Sequence, residues 1–315
     1  MNSALAPRAF HVYLLEGKAH GANPQNVSGK QLDMKGNCAL LGIESDLRQS
    51  HIIPKFAFDY FKETGGKYFR SFEKPNLRLQ DGPKPYLLSH QAEQEFSKRE
   101  GWFASNIFYP YLGKDKTSFN YDENLAYFTI SILWRVLYEQ MTHKDISSVK
   151  EFEFLKEVEI EWRNFLRSSV YPRTYNDLNL FFTDRLSYHN TDSIDVDLYM
   201  SRIIDATIIA NEQKDTIAIY VKFLRFIFWS VVKGVPNSSS DVKISFTPNT
   251  IKVPQFLKDD FIGNFLMNRI KVVDNRQRPS PKQQEIIIQE LERNENSFWE
   301  SDAGQSMLND FIHKH

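Results

Sequence analysis

Residues 216–232 read TIAIYVKFLRFIFWSVV. A chain carrying this run must hide it. Its 17 residues fall short of the roughly 20 a helix needs to cross a bilayer. Lys222 and Arg225 stand near its middle, where each charge would cost about 2.5–3.5 kcal/mol in a membrane. The run therefore predicts a buried helix inside a globular domain, with both charges snorkelling out of one side, and no membrane span.

The rest of the chain can build such an interior. Of 315 residues, 41% are hydrophobic and 25% charged, with 25 phenylalanines to fill a core. That length suits one large or two ordinary domains. The net charge of −1 demands no polyanionic partner, so any nucleic-acid surface must be local. A lone cysteine, Cys38, excludes an intrachain disulfide and favours a reducing, cytoplasmic setting. Arg8 and the short run AFHVYLL make a poor signal peptide.

Local signals divide the chain in three. Residues 1–36, with GKAHGANPQNVSGK, read as an N-terminal extension. Residues 37–112 mix short apolar runs with the breakers ETGG, KPN, QDG and PKP, which predicts short strands, turns and small helices. Residues 113–315 read as mainly helical. Asp122 caps a stripe of Leu125, Phe128, Ile132 and Val136, and a second stripe holds Leu155, Val158, Trp162, Phe165 and Leu166. A third helix is predicted from Leu198 to about Asn211. Ser280 and Pro281 open another. Gly234–Asp241 is a loop by composition, and DVKISF reads as a strand.

The middle segment carries a recognisable order. Cys38 opens CALLGIES, SHIIPKF follows at Ser50–Phe56, and then comes KPNLRLQDGPKPYLLSHQAEQEFS. This order resembles the HNH, or ββα-metal, nucleases, and more closely a group of bacterial HNH-like proteins. Their pattern runs Cys-x-x-Cys-Gly, Ser-His-Ile-Ile-Pro-Lys-Phe, then Leu-Leu-Cys-x-x-Cys-Glu-x-x-Phe-Ser. ISILWRVL and YVKFLRFI also resemble that group's helical half. The departures are Leu41, Ser89 and Ala92, which stand where three of four zinc-binding cysteines belong. Structural zinc takes about four ligands, and Cys38 with His90 supplies two at most. A structural zinc is therefore not expected, and apolar packing must replace it. Gly42, the knuckle glycine, should keep a positive φ.

The resemblance implies an α+β fold and a magnesium-dependent nucleic-acid endonuclease, with a setting in bacterial phage defence. It makes His51 the general base, and an unperturbed imidazole suits that task near neutral pH. The usual metal-binding aspartate before the histidine is Ser50 here, so other carboxylates must serve. His90, Glu93 and Glu100 share one face of a predicted helix and are the candidate metal ligands. Asn76 stands where the motif's asparagine falls.

Plainer readings run alongside. A histidine before two isoleucines is commonly structural, and a glutamate stripe is commonly a solvated helix face. The basic residues Lys55, Lys62, Lys67, Arg70, Lys74, Arg78 and Lys84 outnumber the local acids by about three, a modest patch for DNA or RNA. A non-catalytic descendant that binds nucleic acid, a protein partner or a second copy of itself is the alternative.

Overall fold

The computed structural model describes residues 34–64, 76, 79, 81–184, 196–236, 239–275, 280–292 and 295–314. The chain runs β1 (Met34–Asn37), β2 (Glu44–Gln49), α1 (Lys55–Glu63), β3 (Tyr86–Ser89), α2 (His90–Phe103) and α3 (Tyr109–Leu112). It continues through β4 (Ser118–Tyr121), α4 (Glu123–Met141), α5 (Lys144–Ser147), α6 (Phe152–Ser168), β5 (Leu178–Phe182) and α7 (Val196–Arg202). Then come β6 (Asp205–Asn211), β7 (Thr216–Phe223), β8 (Phe226–Lys233), β9 (Asn249–Lys252), α8 (Asp260–Asp274), α9 (Pro281–Glu292), α10 (Glu295–Glu300) and α11 (Asp302–Lys314). Helices and antiparallel sheets together make an α+β fold.

The first sheet has the order β1-β2-β3, all antiparallel. The segment after Asp81 pairs back on β2 as β3, while SHIIP itself is not a strand. Ser89 ends β3 and caps α2, its Oγ accepting from the Ala92 N–H at 3.3 Å. α2 then runs through a wide turn at Ala104–Phe108 into α3. β1, at Met34, is the first described element.

The run at 216–232 is not a helix. It is the β7–β8 hairpin, closed by a two-residue turn at Leu224 and Arg225, at the centre of the sheet β5-β8-β7-β6. Its alternate residues bury on opposite faces. Ile219, Val221, Phe223 and Phe228 join α4 and Phe103 in one cluster, while Ala218, Tyr220, Ile227 and Trp229 meet Tyr199 of α7 and Phe265 of α8 in another. With both faces dry, the alternation of polar and apolar residues disappears, and a short apolar run no longer distinguishes strand from buried helix.

The predicted Leu198–Asn211 helix divides for the same reason, into α7 and the sheet strand β6. Residues 113–315 are thus helix and sheet together, with β4 also pairing β9. DVKISF forms a single bridge, Asn179 to Lys243, beside β5.

α4 and α6 form where the stripes predict, and Asp122 caps α4 by accepting from the Asn124 N–H at 3.0 Å. α4 lies under the four-stranded sheet and against α2 and α6. Aromatic rings weld the two sheets' surroundings together. Phe103 of α2 stacks on Phe128 of α4 with centroids 4.2 Å apart, and Phe56 of α1 meets Phe108, Phe128 and Phe223. One apolar core consequently runs from Cys38 to Ile251. Truncating a ring at its centre, such as Phe103, would cost about 3–5 kcal/mol.

Candidate functional site

The turn between β1 and β2 holds two of the positions that the resemblance singled out, Cys38 and Gly42. Gly42 has φ +69°, and its N–H donates to the Cys38 carbonyl at 2.8 Å. The Cys38 sulfur, fully buried, accepts from the N–H groups of Leu41 at 3.5 Å and Ser89 at 3.3 Å. Sulfur thus ties the turn to the start of α2 directly. The residues at the other three cysteine positions of the resemblance have other places. Leu41 packs on the core, Ser89 is the α2 cap, and Ala92 is buried. These residues do not fit a structural zinc.

His51 follows β2 at the rim of the first sheet, half-buried, between Ser50 and the buried Ile52. Its Nε2 lies 3.2 Å from Asp81 Oδ2, close in distance though bent in angle. Asp81 is delivered by the reversing turn. Gly82 donates its N–H to Asp81 Oδ1 at 3.1 Å, and a Cβ on Gly82 would come within 2.2 Å of the Phe58 ring. Only glycine lets the turn lie that close to α1. Lys84 completes the group, with Nζ 2.7 Å from Asp81 Oδ2.

The electrostatics follow from this packing. Burial lowers the His51 pKa below its ordinary 6.5, outweighing the upward pull of Asp81, so the neutral ring is favoured. For Asp81, burial alone would raise the pKa, but the contacts from Lys84 and His51 together hold it below the usual carboxylate range. With Nε2 turned to the carboxylate, Nδ1 is the ring nitrogen left to take a proton.

Beneath the histidine sits Arg135 of α4, a buried guanidinium. Its Nη1 donates to the His51 carbonyl at 2.7 Å, its Nε to the Ser131 carbonyl at 3.2 Å, and its Nη2 lies 2.8 Å from Glu100 Oε1. Glu100, a candidate metal ligand in the sequence, is therefore engaged by Arg135. Glu93 occupies the first turn of α2, where a carboxylate complements the helix dipole, and His90 is exposed at that helix's first residue. Asn76 is engaged elsewhere, its Oδ1 accepting from the Ser280 N–H at 2.8 Å beside α9. Lys67, Arg70, Lys74 and Arg78 lie outside the described residues.

The magnesium expectation fares poorly against this geometry. Magnesium wants near-octahedral oxygen ligands at about 2.0–2.1 Å. Asp81 is taken up by Lys84 and His51, and Glu100 by Arg135. Among the described residues, no three His, Cys, Asp or Glu side chains gather around a common point. The residues placed here do not fit the ion.

Sequence reasoning found His51 but missed its partners. Asp81 read only as a turn residue, and Lys84 as one charge in a patch. Arg135 left the better signal, a lone arginine inside ISILWRVL. No helix among the described residues is long and apolar enough to cross a membrane. Comparison with protein-family models, with curated proteins and with solved structures gives no match.

Proposed function

We propose that this chain is an HNH-like nucleic-acid hydrolase in which His51 is the general base. The observation that carries the reading is the His51–Asp81 contact at a half-exposed rim beside Lys84. β3 pairs antiparallel with β2 and leads directly into α2, with α1 between the two strands in the chain, and this pairing supports the reading. In the step, Nδ1 of neutral His51 takes a proton from water as its oxygen bonds to phosphorus, the bond from phosphorus to one ester oxygen breaks, and that leaving oxygen takes a proton from solvent. Asp81 holds Nε2–H and stabilises the imidazolium that forms, and Lys84 offers an ammonium to the phosphate oxygens. The substrate is DNA or RNA, and the resemblance adds the setting of cytoplasmic phage defence. No step runs through magnesium, because the residues do not fit it.

A second reading is favoured by the same ion pairs. Asp81–Lys84 and Glu100–Arg135 tie up both carboxylates nearest the histidine, as in a non-catalytic descendant that binds nucleic acid or a protein partner.

Cleavage assays on single- and double-stranded DNA and RNA, with Mg²⁺, with Mn²⁺ and with chelator, separate the two. The hydrolase reading expects cleavage that survives chelation and falls by about 10²–10⁴ in His51→Ala. Its rate should decline as pH drops through the His51 pKa, which lies below 6.5. A wild type inert on every substrate decides for the second reading.

A further inference from the structure

We propose that Arg135 and Glu100 form a buried positioning pair that sets both the place and the protonation of His51. The inference deepens the hydrolase reading and rests on it for its purpose. Its geometry stands independently.

A buried guanidinium carries an unusual cost. A guanidinium in the interior is tolerated only where its donors and charge are met. Arg135 has three distinct partners from three places in the chain: two carbonyls accept from it, and Nη2 lies close to Glu100 in distance though bent in angle. Ser131 is one turn back on α4, Glu100 is on α2, and His51 follows β2. The Phe96 ring, 5.2 Å from the guanidinium carbon, covers it. Its fork therefore spans the helix that closes the first sheet and the histidine at that sheet's rim.

The His51 carbonyl is the informative partner. β2 ends two residues before it, and the pairing beyond is sparse. Ser50 N–H still donates to the Pro85 carbonyl, and Ile52 N–H reaches the Pro83 carbonyl only at 3.5 Å. A backbone carbonyl leaving a sheet needs a new donor, and Arg135 provides one from 84 positions away at 2.7 Å. That bond holds the backbone at the residue whose ring must face a reacting atom, and small displacements there are expensive in rate.

The pair also acts through charge. The groups facing His51 are Asp81 and Lys84 from the reversing turn, Glu100 from α2 and Arg135 from α4. Asp81 and Glu100 favour the imidazolium, and Lys84 opposes it. Arg135 neutralises Glu100. Removing it leaves Glu100 to act on His51 unopposed, and the ring should then hold its proton to higher pH. A role in packing alone would not produce that shift.

The test reads the imidazole itself. The His51 titration is followed by NMR in the full chain, for wild type, Arg135→Met, Arg135→Lys and Glu100→Gln, with folding checked by circular dichroism. The pair predicts an upward shift of the midpoint in Arg135→Met and a downward shift in Glu100→Gln. Arg135→Lys should stay near wild type in midpoint, because it keeps the charge, yet lose at least tenfold in cleavage, because it loses the fork. If Arg135→Met does not fold, the other two variants carry the test. Unmoved midpoints in folded variants overturn the proposal, even when wild type cleaves. Shifted midpoints in a protein that never cleaves uphold the pair and sink the hydrolase reading alone.

Discussion

The two sheets handle charge in opposite ways. At the first sheet, His51, Asp81 and Lys84 sit at the rim, partly wet, with side-chain exposures of 18%, 20% and 33%. In the four-stranded sheet, the charges are sealed. Lys222 is wholly buried, and its ammonium donates to the carbonyls of Met200, Ile203 and Leu224 at 2.7–3.0 Å while burial pulls its pKa well down. Arg225, at the hairpin turn, pairs with Asp197 and Asp302 and donates to Ser306. Arg269 and Tyr199 meet Asp205. Burial would lower the Arg225 pKa, but Asp302 and Asp197 carry it above the ordinary arginine value. The lesson is physical. Sealed charges met by carbonyls and carboxylates hold elements in one arrangement, whereas a partly wet pair keeps a group able to exchange its proton.

A buried cation joins the two regions. Arg202 of α7 donates to the Phe61 carbonyl at 2.9 Å and to Thr64 Oγ1 at 3.2 Å, and lies 3.5 Å over the Phe61 ring. Burial brings its pKa down to about 10. α1, which leads away from His51, is thereby fastened to the helix above the second sheet.

The contrast is most easily broken at Arg225. Arg225→Met leaves Asp197, fully buried, without its cation, and should cost about 3–5 kcal/mol in urea unfolding. A loss below about 1 kcal/mol would mean that the network carries little of the stability. Next comes Cys38→Ala, which strips the Leu41 and Ser89 N–H groups of their acceptor. A loss of about 1–3 kcal/mol is expected, identical with and without chelator; stoichiometric zinc in elemental analysis would overturn this account of the knuckle.

Gly42→Ala should cost about 1 kcal/mol through its left-handed backbone, since the space around it is open. A neutral thermal shift would show that the turn relaxes. The smallest effect sharpens the comparison from the other side. Lys84→Met removes a half-exposed partner of Asp81 and should change stability by about 0–1 kcal/mol while weakening nucleic-acid binding in a salt-dependent titration. A loss as large as that of Arg225→Met would erase the distinction between rim and interior.

What the sequence by itself determined was local. Asp122 and Pro281 mark helix starts, Gly42 marks a left-handed turn, and the α4 and α6 stripes name their buried faces. These signals act through a residue's own backbone or through one wet and one dry face. Only the tertiary structure decided that residues 216–232 are two strands, because a segment dry on both faces has no periodicity to read. It also decided where their charges go: Lys222 and Arg225 do not snorkel outward but find carbonyls and carboxylates inside. His51 shares this dependence. Asp81 lies 30 positions away and Arg135 lies 84 away. Their approach depends on the Gly82 turn resting against Phe58 and on α4 passing beneath the rim, a matter of packing that no spacing along the chain encodes.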